Sequence, residues 1–419
     1  MKTIRRRGFR RDLRELGPGL VTGAADDDPS GIATYSQAGA QFGFSMLWTV
    51  VFTLPLMVAI QLVSARIGHV TRKGLAANIK EAFPRWVLLT LVGMLLAANT
   101  LNLAADIAAM AEALRLLVGG SSHVHAVTFG LLCLVLQVFL PYRAYVRWLK
   151  WLTLALLSYV AVVFTVQIDW LKVGSEIVRP QFALDHDALL MVVAVFGTTI
   201  SPYLFFWQAA QEMEDAAASP SQTTRGVRRH LRRIKVDTFI GMTFSNLIAF
   251  FIILSTGATL HAAGVTDIRT SAQAAEALRP LAGDLTFALF SLGIIGTGLL
   301  AVPVLAGSAG YAVAEAAGWS GSLSARLDRG EGQGFYGVVA AATVGGVLLC
   351  FTPIDPIKAL FWSAVINGVI AVPIMFVMML LASRASTMGA HVIGARLRRL
   401  GWVATMVMAL TVLAMWVTL

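Results

Sequence analysis

Cysteine and charge are both scarce in this 419-residue chain. Its two cysteines, Cys133 and Cys350, lie in apolar segments, which excludes a disulfide framework or a cysteine-built zinc site. Only 13% of residues are charged while 57% are hydrophobic, and the mean hydropathy is +0.73. With apolar runs of about 20 residues, this balance excludes an ordinary soluble domain and predicts a polytopic, all-α membrane protein. Ten-residue alternating segments are missing, which excludes a transmembrane barrel. The loops leave no room for a separate soluble domain. Neither a nucleotide-binding loop nor a nucleophile–base pair is present, so an ATP-driven pump, a membrane enzyme or a bound cofactor is not expected. No small-residue cleavage pattern follows the basic start, so no cleavable signal peptide is expected either.

The charge that is present reports topology. The formal net charge of +10 sits in short loops between apolar runs, so it does not point to nucleic acid. Lys2, Arg5, Arg6, Arg7, Arg10, Arg11 and Arg14 form one cluster, and Arg66, Arg72, Lys73, Lys80 and Arg85 form the next. Basic loops stay cytoplasmic, so an even number of spans should separate the two clusters. The run 46–65 supplies one span, and 16–42 must supply the other. The same parity, applied along the chain, predicts spans at 16–42, 46–65, 87–117, 124–140, 149–168, 188–211, 236–259, 283–316, 335–352, 357–382 and 401–418. These eleven spans form a single transmembrane domain in the plasma membrane, with the amino terminus cytoplasmic and the carboxyl terminus outside. The longest inner loop, 211–235, reads as a solvated hinge that touches anionic lipid.

Two spans are broken. Asp26-Asp27-Asp28-Pro29 puts three carboxylates and a helix breaker in mid-membrane, and Ser201-Pro202 interrupts the sixth span. An ionised carboxylate at that depth persists mainly beside a cation or a water-filled cavity. Broken helices at corresponding positions of two five-helix halves predict an inverted repeat (16–168 over 188–382) with a cation site between the breaks and an eleventh helix outside the repeat. Asp28 should be the principal ligand, although Asp-Pro is also an ordinary helix start, with Asp as N-cap and Pro at the first position. Asp26 and Asp27 point about 100° apart on a helix, so all three acids cannot face one ion equally. For those two, ion attraction and solvent-facing cavity charge both remain open. Ser201 reads either as a ligand or as a packing residue that bonds its own backbone.

The stretch from Asp28-Pro29-Ser30-Gly31 through Ala38-Gly39-Ala40-Gln41-Phe42-Gly43 resembles the first-helix motif of the Nramp family, D-P-G-N-x-x-T-D-x-x-A-G-A-x-F-G. Gly197-Thr198-Thr199-Ile200-Ser201-Pro202-Tyr203 is similar to its sixth-helix motif, G-A-T-x-M-P-H. The resemblance implies a LeuT-like fold and transport of divalent transition metals, usually coupled to protons. It also implies a carbonyl ligand at Thr198 and a proton-route acid at Asp106. The departures bear on the substrate. The family's metal-binding Asn falls on Gly31, its Met ligand on Ser201, and its His after the proline on Tyr203. Losing thioether and amide leaves a wider, oxygen-only site of Asp28, Ser30, Gly31, Thr198 and Ser201. Such a site suits Mg²⁺, which keeps several waters, with Mn²⁺ next. The pattern is similar to Nramp-related magnesium transporters, and weak or absent proton coupling is expected. The rivals are an ordinary proton-coupled Mn²⁺/Fe²⁺ symporter and an amino-acid symporter of the same fold.

Other polar residues in apolar spans carry weaker signals. Asn99, Asn102, Asp106 and Glu112 lie along the third span, where Asp106 either relays protons or pairs within the bundle. Asn367 in the tenth span either reaches the ion through water or bonds between helices. His123 and His125 should be solvated in an outer loop. Met375, Met378 and Met379 should pack or face lipid.

Overall fold

The computed structural model describes residues 18–139, 152–180, 185–218, 224–323 and 332–418. The basic cluster Lys2 to Arg14, the basic segment Arg143 to Lys150 and part of the Gly/Ser-rich linker 320–334 lie outside the described residues. Among those described, the chain is helical without strands.

The first span is two helices, α1 (Pro18–Asp26) and α2 (Pro29–Phe42). Then follow α3 (Leu47–Thr71), the short α4 (Leu75–Ala82), α5 (Arg85–Val118), α6 (Ser122–Phe139), α7 (Leu157–Val162) and α8 (Trp170–Val178). The second half opens with another broken pair, α9 (His186–Thr199) and α10 (Pro202–Ala218). It continues through α11 (Thr224–Thr256), α12 (Thr286–Ala317), α13 (Gln333–Leu349) and α14 (Pro356–Ser383), and α15 (Ala395–Val417) follows. Among the described residues, eight helical stretches are long and apolar enough to cross a membrane, and α13 is a shorter apolar helix.

The packing repeats as the order does. Both halves of the first broken helix lie along α11, and both halves of the second lie along α3. Since α3 and α11 each follow a broken pair, these contacts are equivalent, and they make the five-plus-five inverted repeat physical. Glycine permits the approach. A Cβ at Gly23 would fall 2.3 Å from the Gly241 carbonyl oxygen of α11, and one at Gly197 would fall 2.0 Å from the Ala364 carbonyl of α14. Without a hydrophobic force between helices in lipid, such backbone contact is a main source of association.

One expectation differs from the structure, and two are refined by it. The 211–235 loop is not a solvated hinge, because α10 runs on to Ala218 and α11 begins at Thr224. Glu212 is fully buried there, and Arg233 Nη2 reaches Asp215 at 2.9 Å and Glu212 at 3.7 Å. An arginine shared by two acids lets the helices extend where charge density alone suggested a loop. His123 lies in the first turn of α6 and stacks on Phe351 at 4.9 Å, so the outer loop is shorter than expected. Met375, Met378 and Met379 are all fully buried, which settles them as packing residues.

Candidate metal centre

Asp28 ends the first break in extended conformation (φ −71°, ψ 169°) and caps α2, its Oδ1 accepting from the Gly31 amide at 2.7 Å. The Asp-Pro pair therefore does start a helix, and the same geometry aims the carboxylate into the gap. Its other oxygen accepts from Asn102 Nδ2 of α5 at 3.1 Å and lies 3.2 Å from the Tyr203 hydroxyl of α10. That hydroxyl is also 3.2 Å from the Ala25 carbonyl, so one phenol spans both breaks. Asp28 is only 2% exposed, and among the described residues no Lys, Arg or His pairs with it. Donors from three elements fix the carboxylate while leaving its charge unneutralised.

Around Gly31 the two breaks converge. A Cβ at this position would lie 3.1 Å from Thr198 Oγ1, 3.3 Å from the Tyr35 ring and 3.4 Å from the Asp26 carbonyl oxygen. A hydroxyl, a carbonyl oxygen and an aromatic ring thus face a position that carries no side chain, while the Asp28 carboxylate holds its amide. The other predicted residues divide. Ser201 donates to the carbonyls of Gly197 at 2.9 Å and Thr198 at 2.8 Å, the backbone-bonding alternative, which leaves only its lone pairs for a ligand role. The same bond occupies one lone pair of the Thr198 carbonyl. Ser30 turns its hydroxyl to α14, onto the Leu360 carbonyl at 3.0 Å and Ser363 at 3.1 Å, so its side chain is engaged away from Asp28. Its backbone amide faces both Asp28 and Asp106.

Asp26 and Asp27 do not face solvent. Both are buried and share the Ser245 hydroxyl of α11, at 2.5 Å and 2.9 Å. Asp106 is fully buried on α5, one turn beyond Asn102, and among the described residues no side chain hydrogen-bonds its carboxylate. Asn367 is buried on α14 with its carbonyl oxygen unpartnered, and no hydrogen bond joins it to either break. Asn102 and Ser245 are not among the site residues expected from the sequence. Asn102 carries a sequence signal, since it shares a helix face with Asp106 four residues on. Ser245 carries none.

Among the described residues no three His, Cys, Asp or Glu side chains converge as a preformed metal cage. A cation at Gly31 would instead meet one fixed carboxylate, backbone and hydroxyl oxygens and its own waters. That donor set fits a hard, partly hydrated divalent ion.

The profile of the family described as natural resistance-associated macrophage protein-like (Nramp) matches residues 19–418. A divalent metal cation transporter MntH from Verminephrobacter eiseniae is 31% identical over 304 residues, covering 70% of this chain and 67% of the relative. One from Yersinia pestis is 29% identical over 306 residues, covering 69% and 71%. Among solved structures, an Eremococcus coleocola manganese transporter in complex with an aromatic bis-isothiourea substituted compound superposes with a TM-score of 0.76 at 16% identity, covering 97% and 86%. Mhp1, a nucleobase-cation-symport-1 family transporter, gives 0.54 at 13% identity, covering 96% and 92%.

Proposed function

The chain belongs to the Nramp family, and from that footing we propose that it moves divalent metal cations inward across the plasma membrane by alternating access, Mg²⁺ in first place. It is a membrane transporter and not an enzyme. The observation that carries the choice of ion is the donor set beside Gly31, the oriented Asp28 carboxylate with the Thr198 hydroxyl and the Asp26 carbonyl, and Ser and Tyr rather than Met and His at 201 and 203. Asp28 supplies the countercharge at membrane depth, where an unpaired anion is otherwise costly. Thr198, the Asp26 carbonyl and the lone pairs of Ser201 supply neutral oxygen, and Gly31 leaves space for retained water. Mn²⁺ is the second reading, because a structural neighbour is described as a manganese transporter and Mn²⁺ also accepts oxygen ligands.

The orientation follows the basic ends. Arg66 to Arg85 and Arg384 to Arg399 mark the cytoplasmic side by their charge, which puts the carboxyl terminus outside. At the opposite end, α2, α9 and α14 frame a cavity of about 180 Å³ with Asp187 and Asp267 in its wall, an outer vestibule above the breaks. Gln37 spans this end by bonding the backbone of the 266–268 segment, to the Thr266 carbonyl at 3.1 Å and from the Ile268 amide at 2.9 Å. The test is competition among Mg²⁺, Mn²⁺, Ca²⁺ and Cd²⁺ for uptake into proteoliposomes of the full chain. Mg²⁺ should be carried and should not be outcompeted by equimolar Cd²⁺. Uptake of Cd²⁺ and Mn²⁺ without Mg²⁺ would overturn the choice of ion while leaving divalent transport standing.

A further inference from the structure

Away from both breaks, α3, α11 and α15 enclose an open groove of about 590 Å³ whose wall is almost entirely apolar. Val58 and Leu62 of α3, Phe239 of α11 and Leu400 of α15 form its floor and sides. Four cations, Arg66, Arg232, Lys235 and Arg396, line it as well. Their placement is ordered. On α3 the apolar residues precede Arg66, which lies near the helix's C-terminal end. On α11 Arg232 and Lys235 precede Phe239, with Leu231 beside Arg232, and on α15 Arg396 precedes Leu397 and Leu400. Since α3 runs opposite to α11 and α15, all four charges gather at one end, and the apolar residues other than Leu231 extend from it.

Among the described residues none of the four cations forms an ion pair with an acid, and Arg66 Nε is buried with no hydrogen-bond partner. The α3 stripe from Leu54 to Arg66 rises about 18 Å, close to the depth of one leaflet of a hydrocarbon core about 30 Å thick. We propose that this groove binds an anionic phospholipid, one acyl chain along the apolar stripe and the phosphate among Arg66, Arg232, Lys235 and Arg396. Charge complementarity selects the headgroup, since a polybasic cluster at a membrane surface attracts anionic lipid. The apolar length selects a lipid over a free phosphate, which would have no use for the groove. Because α11 is also the helix against which α1 and α2 pack, the lipid would sit on the outer side of the element that supports the first break.

The test is native mass spectrometry of the full chain in detergent, titrated with phosphatidylglycerol or with phosphatidylcholine of the same acyl chains. Wild type should retain phosphatidylglycerol in preference by about tenfold or more, since each cationic contact contributes about 1 kcal/mol. The triple variant R232Q/K235Q/R396Q, which keeps only Arg66, should lose most of that preference, and Leu400→Trp, which fills the groove, should lower retention of both. Equal retention of the two lipids by wild type would overturn the proposal. So would an undiminished phosphatidylglycerol preference in the triple variant. Should the triple variant fail to give a single folded species, Leu400→Trp decides alone, and unchanged retention there counts against the groove.

Discussion

At the scale of single residues, Asp28 does two jobs with one carboxylate. It caps α2 through the Gly31 amide, and it presents its remaining electron density to the gap between the breaks. Asp28→Asn keeps the size and much of the capping ability while removing the charge. The protein should fold and its divalent uptake should fall to background; wild-type uptake by a monodisperse Asp28→Asn protein would dismiss the site. Asn102 holds the carboxylate from α5, and a hydrogen bond to a charged group is worth about 1.5–3 kcal/mol. Asn102→Ala should therefore raise the apparent KM for metal by roughly tenfold or more, with a smaller effect on maximal rate; an unchanged KM would remove Asn102 from the site. Selectivity can be approached from the missing ligands. Ser201→Met with Gly31→Asn would restore thioether and amide and should raise Cd²⁺ and Mn²⁺ transport relative to Mg²⁺. The introduced side chain at Gly31 must displace Thr198 Oγ1 or the Tyr35 ring slightly, since a Cβ there meets them at 3.1 and 3.3 Å. A folded, active double variant with the wild-type metal ranking would show that these positions do not set selectivity.

At the scale of elements, the broken helices were the most legible part of the fold. Pro29 and Pro202 announce a break by removing a donor and fixing φ, and neither depends on distant neighbours. What lies across the breaks was not legible. Ser245 reaches Asp26 and Asp27 from 218 or more residues away, and nothing in the sequence around it distinguishes it from a helix-packing serine. Asp-Pro could be read as a helix start or as a ligand, and the cap seen at Asp28 leaves its second carboxylate oxygen facing Asn102 and Tyr203, so the first reading does not rule out the second. The buried Glu212 was hidden for a different reason. Its partner Arg233 sits in a cluster of basic residues that, counted as charge, looked like a loop. Helix contact was half legible. Gly197 appears in the sixth-helix motif, but only the fold shows that its missing side chain admits the α14 backbone. Gly197→Leu should therefore destabilise the detergent-solubilised protein, overpacking costing about 1–3 kcal/mol or more when backbone must move. Gly174, which has open space around it, should tolerate alanine. Comparable melting temperatures for the two variants would mean that the α9–α14 contact is dispensable.

At the scale of the whole molecule, the central question is how four acids remain buried together. Asp26, Asp27, Asp28 and Asp106 are each no more than 2% exposed, and among the described residues no basic side chain pairs with any of them. A divalent cation at the breaks would offset part of that charge, and its binding would then favour whichever state of the transporter holds it more tightly. A ligand shifts a conformational equilibrium only through its differential affinity for the two states. On this view the metal itself, without a second ion, is enough to bias the cycle. A coupled proton needs a group placed to exchange it with both sides as the transporter turns over. The position where the family has histidine is Tyr203, and a phenol ordinarily titrates near pH 10, against about 6.5 for imidazole. Its hydroxyl is also committed to Asp28 and Ala25. Asp26, Asp27 and Asp106 are the remaining relay candidates, and all three lie buried, Asp26 and Asp27 on the Ser245 hydroxyl and Asp106 with no side-chain hydrogen-bond partner among the described residues. We therefore expect metal uptake with little or no accompanying proton flux. Proteoliposomes loaded with a pH-sensitive dye read this directly. Adding Mg²⁺ or Mn²⁺ outside should leave the lumenal pH unchanged while a metal-sensitive dye records uptake. Metal-dependent acidification that is absent from Asp28→Asn vesicles would establish coupling, and Asp106→Asn would then be the variant to remove it.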